Sequence, residues 1–272
     1  MNDRRKREIR READSFRAKC NISRYGITDL FRDCDRLGYK LLRYPLGENA
    51  DLGMAMKRDH DIIIFTNTSS RLSREIFTLA HEIGHAVLHI DSLTPFIDNQ
   101  ATLSGSGKDE REKEANYFAA CLLMPDDEVD RFIDRELSGI EKNGFSALDI
   151  ARIMSEFSVS FEMAINRLED LQKIDENQKT RLATERAEKR VGNLLRSIGG
   201  NARLNTAEEE IALPPEFVEY ALYNFNCSAI PKETLEKVLD FYHLSMDDVT
   251  DKLIPQGKPD EDLDALIGGL DE

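Results

Sequence analysis

Residues Thr78–His89 read TLAHEIGHAVLH and hold three of the five histidines in this 272-residue chain. The run is helical in pattern, with Ile76, Leu79, Ile83 and Val87 at helical spacing on one face and His81 and His85 on another. Positions 81–85 spell H-E-x-x-H. On a helix, residues four apart differ by about 40° in rotation, so both imidazoles project side by side toward one ion. Glu82 is rotated about 100° from His81, so it need not bind the metal but can reach a water held there. A metal-held water of lowered pKa with a carboxylate beside it is the apparatus of metal-assisted hydrolysis. Metal binding therefore explains this histidine cluster better than packing does.

A catalytic zinc takes three protein ligands and keeps one open position, so the third ligand must come from elsewhere. His89 lies two turns beyond His81, about 80° away in rotation and about 12 Å further along the axis. Zincins that use a third histidine break the helix at a glycine first, and no glycine stands between His85 and His89. His89 thus reads as a supporting or packing residue. DEREKEANYFAACLLMP offers more, because Glu112, Ala115, Asn116 and Ala119 share one helical face, with Phe118 and Leu122 among the buried positions. Small residues there let two helices approach closely. Asn116, one turn after Glu112, can hydrogen-bond a ligand histidine and fix its tautomer. Asp109, Glu110 and Glu114 fall off that stripe and read as solvated acids.

The chain before the motif alternates between helix and strand. Residues 4–20 read as a helix, and Tyr39–Tyr44, Leu52–Lys57 and Asp61–Thr66 as strands; DIIIFT is apolar enough to be central. A helix begins near Arg74, and residues 91–108 read as a loop. Helices follow at Glu110–Met124, stopped by Pro125, then at Asp126–Leu137 and Ala147–Glu156. Two helices around SVS resemble a DNA-reading helix-turn-helix, but residues 145–171 carry five acids against two arginines. That is the wrong sign for a groove binder, and the segment reads as structural. A charged helical connector (176–197) runs to a flexible IGGNARLN, and a small acidic helical unit spans Pro214–Leu253 before an acidic tail.

Charge separates along the chain. Residues 1–20 hold 8 basic and 4 acidic side chains, whereas 207–272 hold 4 basic and 17 acidic, within a net charge of −15. Phosphate backbones are repelled by the acidic end, so nucleic acid is a poor partner and a basic protein a better one. The plain alternative is two solvated tails. No apolar run approaches the roughly 20 residues of a membrane span. The basic start lacks the apolar stretch of a signal peptide, which argues for a cytoplasmic protein. Cys20, Cys34, Cys121 and Cys227 form no C-x-x-C pair and read as free thiols, Cys121 in apolar surroundings that favour the core.

The run FTLAHEIGHAVLH, followed by EKEANYFAACLLMP, resembles the ImmA/IrrE family of zinc metallopeptidases. The resemblance covers about residues 20–172, including SVSFEMAINRLEDL. It implies zinc held by His81, His85 and Glu112, with Glu82 as general base; Asn116 and His89, read from their helix positions, would support them. It also implies a zincin-like core, a small sheet packed on the HExxH helix and the Glu112 helix; with the helical reading of the rest of the chain, the expected fold is α+β with an all-α C-terminal region. The corresponding division is a basic helix (1–20), a metallopeptidase domain (21–137), a helix-turn-helix-like segment (138–175), a connector (176–206) and an acidic unit (207–272). The implied activity is a bacterial cytosolic endopeptidase that cuts a helix-turn-helix repressor, releasing stress-response or mobile-element genes. The large sensor-like C-terminal domain of the radiation-response members is not evident here.

A regulator that binds a repressor without cutting it is the alternative, though pure binding has no need of Glu82. A general degradative protease fits poorly with the lack of a pro-segment or export signal. Manganese or iron also suits a His-His-Glu site, and zinc is favoured. Tyr117, Tyr44 and His60 are candidate oxyanion donors.

Overall fold

The computed structural model describes residues 1–47, 50, 53–58, 60–89, 96–98, 110–137 and 144–254. They form two compact units, Met1–Leu213 and the chain from Pro214 onward. The first unit is α+β. Helix α1 (Asp3–Arg17) opens with Asn2 accepting from the Arg5 amide and buries Ile9, Ala13 and Phe16 along one face. Helix α2 (Leu30–Arg36), capped by Asp29, has no counterpart in the sequence expectations. Its seven residues carry four charges, which hide a face of Leu30 and Cys34.

Strands β1 (Lys40–Tyr44), β2 (Gly53–Arg58), β3 (Asp61–Asn67) and β4 (Phe96–Asp98) make one sheet in the order β1-β3-β2-β4. β1 runs parallel to β3, while β2 lies antiparallel to both β3 and β4. DIIIFTN thus takes the interior of the sheet, as its apolar run requires, with Ile63 and Ile64 buried. The short β4 falls inside the segment expected to be all loop.

Helix α3 (Leu72–Leu88) packs on this sheet, and α4 (Glu110–Leu123) crosses it. They meet at Gly84: a Cβ there would lie 3.1 Å from Ala115 Cα and 3.2 Å from its carbonyl oxygen. Ile76, Leu79 and Ile83 are buried as the periodicity demands, with Phe118, Ala119 and Leu122 facing the same core. Full burial of each large apolar side chain contributes about 1.5–3 kcal/mol.

The remaining helices close the unit. They are α5 (Asp126–Glu136), α6 (Ala147–Phe157), α7 (Phe161–Asp170), α8 (Glu176–Lys189) and α9 (Val191–Ser197). Ser146 and Asp149 form a reciprocal cap at the start of α6, Ser158 ends it in a left-handed conformation (φ 55°), and Ser160 caps α7. The helix-turn-helix-like pair is embedded in the core through Ile153, Phe157, Val159, Phe161 and Leu168.

The segment expected to be a connector is packed too, with Leu182, Leu194 and Leu195 buried in the same core. IGGNARLN, expected to be flexible, contains a 3-10 turn (Ala202–Asn205) with Leu204 fully buried. Residues 206–212 then cover the outer edge of β1. The Leu72 amide donates to the Thr206 carbonyl (2.8 Å), and Arg43 and Ala212 exchange main-chain hydrogen bonds of 2.8 and 3.0 Å. The boundary between the compact units lies at Leu213/Pro214, and Glu208–Ala212 are engaged by the sheet.

The second unit packs α10 (Phe217–Asn226), α11 (Lys232–Phe241) and a 3-10 turn (Asp247–Lys252) around Ala221, Leu222, Leu235, Leu239 and Val249. The acidic tail after Ile254 lies outside the described residues, as does Asp109. Among the described residues, no helix is long and apolar enough to cross a membrane.

Candidate metal centre

His81 and His85 stand one turn apart on α3, fully buried, and their Nε2 atoms face each other at 3.0 Å. Across the helix crossing, Glu112 on α4 presents its carboxylate to both: Oε2 is 3.3 Å from His81 Nε2 and Oε1 is 3.4 Å from His85 Nε2. Metal–ligand bonds of about 2.0–2.1 Å in a tetrahedron separate neighbouring ligand atoms by about 3.3–3.4 Å, so this triangle has the size a single ion needs. Among the described residues, this is the one group of three such side chains close enough to share an ion. Glu112 Oε2 is buried without an aligned hydrogen bond, an orphaned acceptor that a cation would satisfy. Burial works against the Glu112 charge, but the two imidazoles facing it outweigh that and hold the carboxyl well below the usual carboxylate range. The donor set therefore fits a metal ion.

Both histidines are oriented from behind. The Asn116 side-chain oxygen faces His81 Nδ1 at 3.0 Å, so that Nδ1 carries the proton and Nε2 keeps its lone pair. His85 Nδ1 lies 3.1 Å from His89 Nδ1. His89 follows α3 as its C-terminal cap and does not join the Nε2–carboxylate triangle. Burial lowers the pKa of His89 despite the opposing pull of Glu114.

Glu82 is fully buried between α3 and the start of β2. Gly53 makes room for it, because a Cβ at that position would collide with Thr78 and Glu82. Sequence reasoning missed Gly53, whose only signal is a glycine at the head of a strand. It also missed the support beneath α3. Glu75 is buried, accepts two hydrogen bonds from Arg43 (2.8 and 3.0 Å) and one from the Thr66 hydroxyl (2.8 Å), and so ties α3 to β1 and β3. An acid in helical phase with Thr78 and Glu82, and an arginine inside KLLRY, were the signals. Glu114 corrects an expectation: it is no solvated acid but binds His89 and Arg5.

The oxyanion candidates are scattered. The Tyr117 hydroxyl accepts from Arg10 of α1, Tyr44 is exposed at the end of β1, and His60 is exposed between β2 and β3. Cys121 is a core residue whose thiol is pushed up by burial, and its sulfur lies 3.8 Å from Arg167 Nη2.

Residues 34–169, from α2 into α7, match the Peptidase M78 family, described as the IrrE N-terminal-like domain. The chain is 37% identical over 82 residues to the uncharacterized immunity region protein 2 of Bacillus phage phi105, covering 30% of this chain and 49% of the phage protein. It is 34% identical over 86 residues to the radiation response metalloprotease IrrE of Deinococcus radiodurans, covering 30% of this chain and 24% of that relative. Identity to the metallopeptidase ImmA of Bacillus subtilis is 28% over 130 residues, 48% of this chain and 70% of that protein. The chain thus spans about half or less of the first two relatives and more than two thirds of the third. Because the family match takes in half of the chain and every residue of the buried triangle, the chain belongs to the Peptidase M78, IrrE N-terminal-like family.

Proposed function

We propose that this chain is a zinc-dependent, site-specific endopeptidase with a zincin-like core, whose substrate is a helix-turn-helix transcriptional repressor. The observation that carries the reading is the convergence of His81 Nε2, His85 Nε2 and the Glu112 carboxylate in a buried triangle, with the Glu82 carboxylate on the next residue of the same helix. Two nitrogens and one oxygen at tetrahedral spacing suit zinc, with one position open. Bound zinc would polarise the scissile carbonyl and lower the pKa of the attacking water. Glu82 would take that water's proton and return it to the leaving amine, acting first as base and then as acid. Asn116 and His89 would keep the two imidazoles in the tautomers that leave Nε2 free.

A phage immunity-region relative and a radiation-response relative support a regulatory substrate over bulk degradation. On this reading the protein works in the cytoplasm on a protein substrate, with no direct nucleic-acid contact of its own expected. The test is to incubate the zinc-loaded protein with the repressor encoded beside its gene and look for two defined fragments. Intact repressor that is nevertheless displaced from its operator would favour the non-cleaving alternative, and Glu82→Gln would then displace it equally well.

A further inference from the structure

We infer that Arg5, Glu114 and His89 form a charge-terminated relay that fixes the tautomer of His85 and strengthens it as a metal ligand. This rests on the reading of His81, His85 and Glu112 as the metal-binding set. Four contacts make the chain: Arg5 Nε to Glu114 Oε1 at 2.8 Å, Arg5 Nη2 to Glu114 Oε2 at 2.6 Å, His89 Nε2 to Glu114 Oε2 at 3.1 Å, and His89 Nδ1 to His85 Nδ1 at 3.1 Å. The residues come from α1, α4 and the end of α3, and Arg5 and Glu114 are 109 positions apart. Local helix geometry therefore does not explain the alignment.

The proton positions follow from the ends inward. If His85 offers the lone pair of Nε2 to a metal, its Nδ1 must carry hydrogen and donate. His89 Nδ1 must then accept, which puts the His89 proton on Nε2, where Glu114 accepts it. Glu114 accepts twice more from the Arg5 guanidinium, a bidentate charge-assisted pair that sets its carboxylate plane. Along these four contacts, this arrangement gives each hydrogen bond one donor and one acceptor, and it places an anion at the far end of the chain from His85. An anion there raises the basicity of His85 and so the hold on a cation. Arg5, Glu114 and His89 are positioning residues, and α1 gains a role at the metal centre through Arg5.

The experiment uses the full chain with Glu114→Gln, His89→Ala, Arg5→Lys and a control, Glu110→Gln, on the exposed side of α4. Zinc affinity is measured by competition with a chromophoric chelator, the apo melting temperature is recorded for each variant, and the tautomer of His89 is read in the zinc-loaded wild type from long-range proton–nitrogen correlations. Glu114→Gln and His89→Ala should weaken zinc binding by about 10- to 100-fold. Glu110→Gln should not, Arg5→Lys should retain most of the affinity, and His89 should carry its proton on Nε2. Wild-type affinity in both Glu114→Gln and His89→Ala overturns the relay, as does a His89 protonated on Nδ1. So does an affinity loss matched by an equal fall in apo melting temperature. A wild-type protein that takes up no zinc, or whose uptake survives His81→Ala, overturns the metal-centre reading and the relay with it.

Discussion

Gly53 lies against Glu82: a Cβ added at position 53 would stand 2.9 Å from Glu82 Oε1 and 2.4 Å from Thr78 Cγ2. Thr78 is β-branched and sits one turn before Glu82 on α3, so it has little freedom to move aside. Gly53→Ala must displace strand or helix, at a cost of roughly 1–3 kcal/mol. The atoms nearest such a Cβ belong to Thr78 and Glu82 and not to the proposed ligands His81, His85 and Glu112, so zinc binding should persist while cleavage falls steeply, since an ångström of misplacement can cost about 100-fold. A Gly53→Ala protein that folds and cleaves at the wild-type rate would show that β2 does not position Glu82.

Glu82 and Glu112 are both buried acids at the same centre, yet their removal should read differently. Glu82→Gln keeps the shape but cannot take a proton, so zinc content should be normal and cleavage down by about 10²–10⁴. Glu112→Ala should lose zinc, whereas Glu110→Ala, whose exposed carboxylate pairs with Lys113 and the Met1 amino group, should retain it. Metal analysis after dialysis checks both, and full zinc in Glu112→Ala would remove it from the ligand set.

Arg43 is buried against Glu75, lies over the Phe31 ring at 4.0 Å, and also reaches Glu208 and Glu210. Burial alone would lower its pKa, but the three carboxylates hold it well above the usual arginine value. Arg43→Met strands Glu75 in the core, and breaking one side of a buried pair costs about 3–5 kcal/mol, a fall in melting temperature on the order of 10 °C. Adding Glu75→Gln to Arg43→Met should recover part of that loss, because the uncompensated charge is gone. A double variant no more stable than Arg43→Met would mean the two residues are not coupled.

Elements with strong periodicity were legible from sequence: DIIIFT as the interior strand, the α3 run with its two histidines, and α4 with Glu112 in phase with Ala115 and Ala119. Those patterns need only local geometry. What was hidden depends on residues far apart in the chain. Helix α2 is too short and too charged to announce an apolar face. Glu114 looked solvated because its partners, Arg5 and His89, come from other elements. The 206–212 segment reads as acidic and polar because its binding to β1 is through main-chain groups and through Arg43, neither of which leaves an apolar pattern.

The four cysteines should separate sharply by reactivity. Burial raises the Cys34 and Cys121 thiols, and Cys20 is pushed up to about 11, so none is a thiolate near neutral pH. Cys227 is exposed. Thiolate population and access control the reaction with a disulfide reagent, so native protein should show one fast thiol and denatured protein four. Two fast thiols before denaturation would mean that half-buried Cys20 is accessible as it stands, and three or more would mean that the core around Cys34 or Cys121 opens readily.

The second unit offers a test of partner recruitment that the fold makes clean. Residues 214–272 carry 14 acidic and 4 basic side chains, a charge that would suit a basic segment of the proposed repressor substrate. A chain ending at Leu213 keeps Leu204, the Ala212 pairing with Arg43 and the carboxylates of Glu208 and Glu210, so its zinc content and core stability should match the full-length protein. A chain ending at Asn201 loses all of these and should melt lower. If the acidic unit recruits, the 1–213 protein should cleave the repressor more slowly at low salt. The gap should close as salt rises, because attraction over more than a Debye length of about 8–10 Å is screened. A short peptide spanning the cut site should be cleaved equally by both. Equal repressor cleavage at low salt by the 1–213 and full-length proteins would assign recognition to the metallopeptidase unit alone.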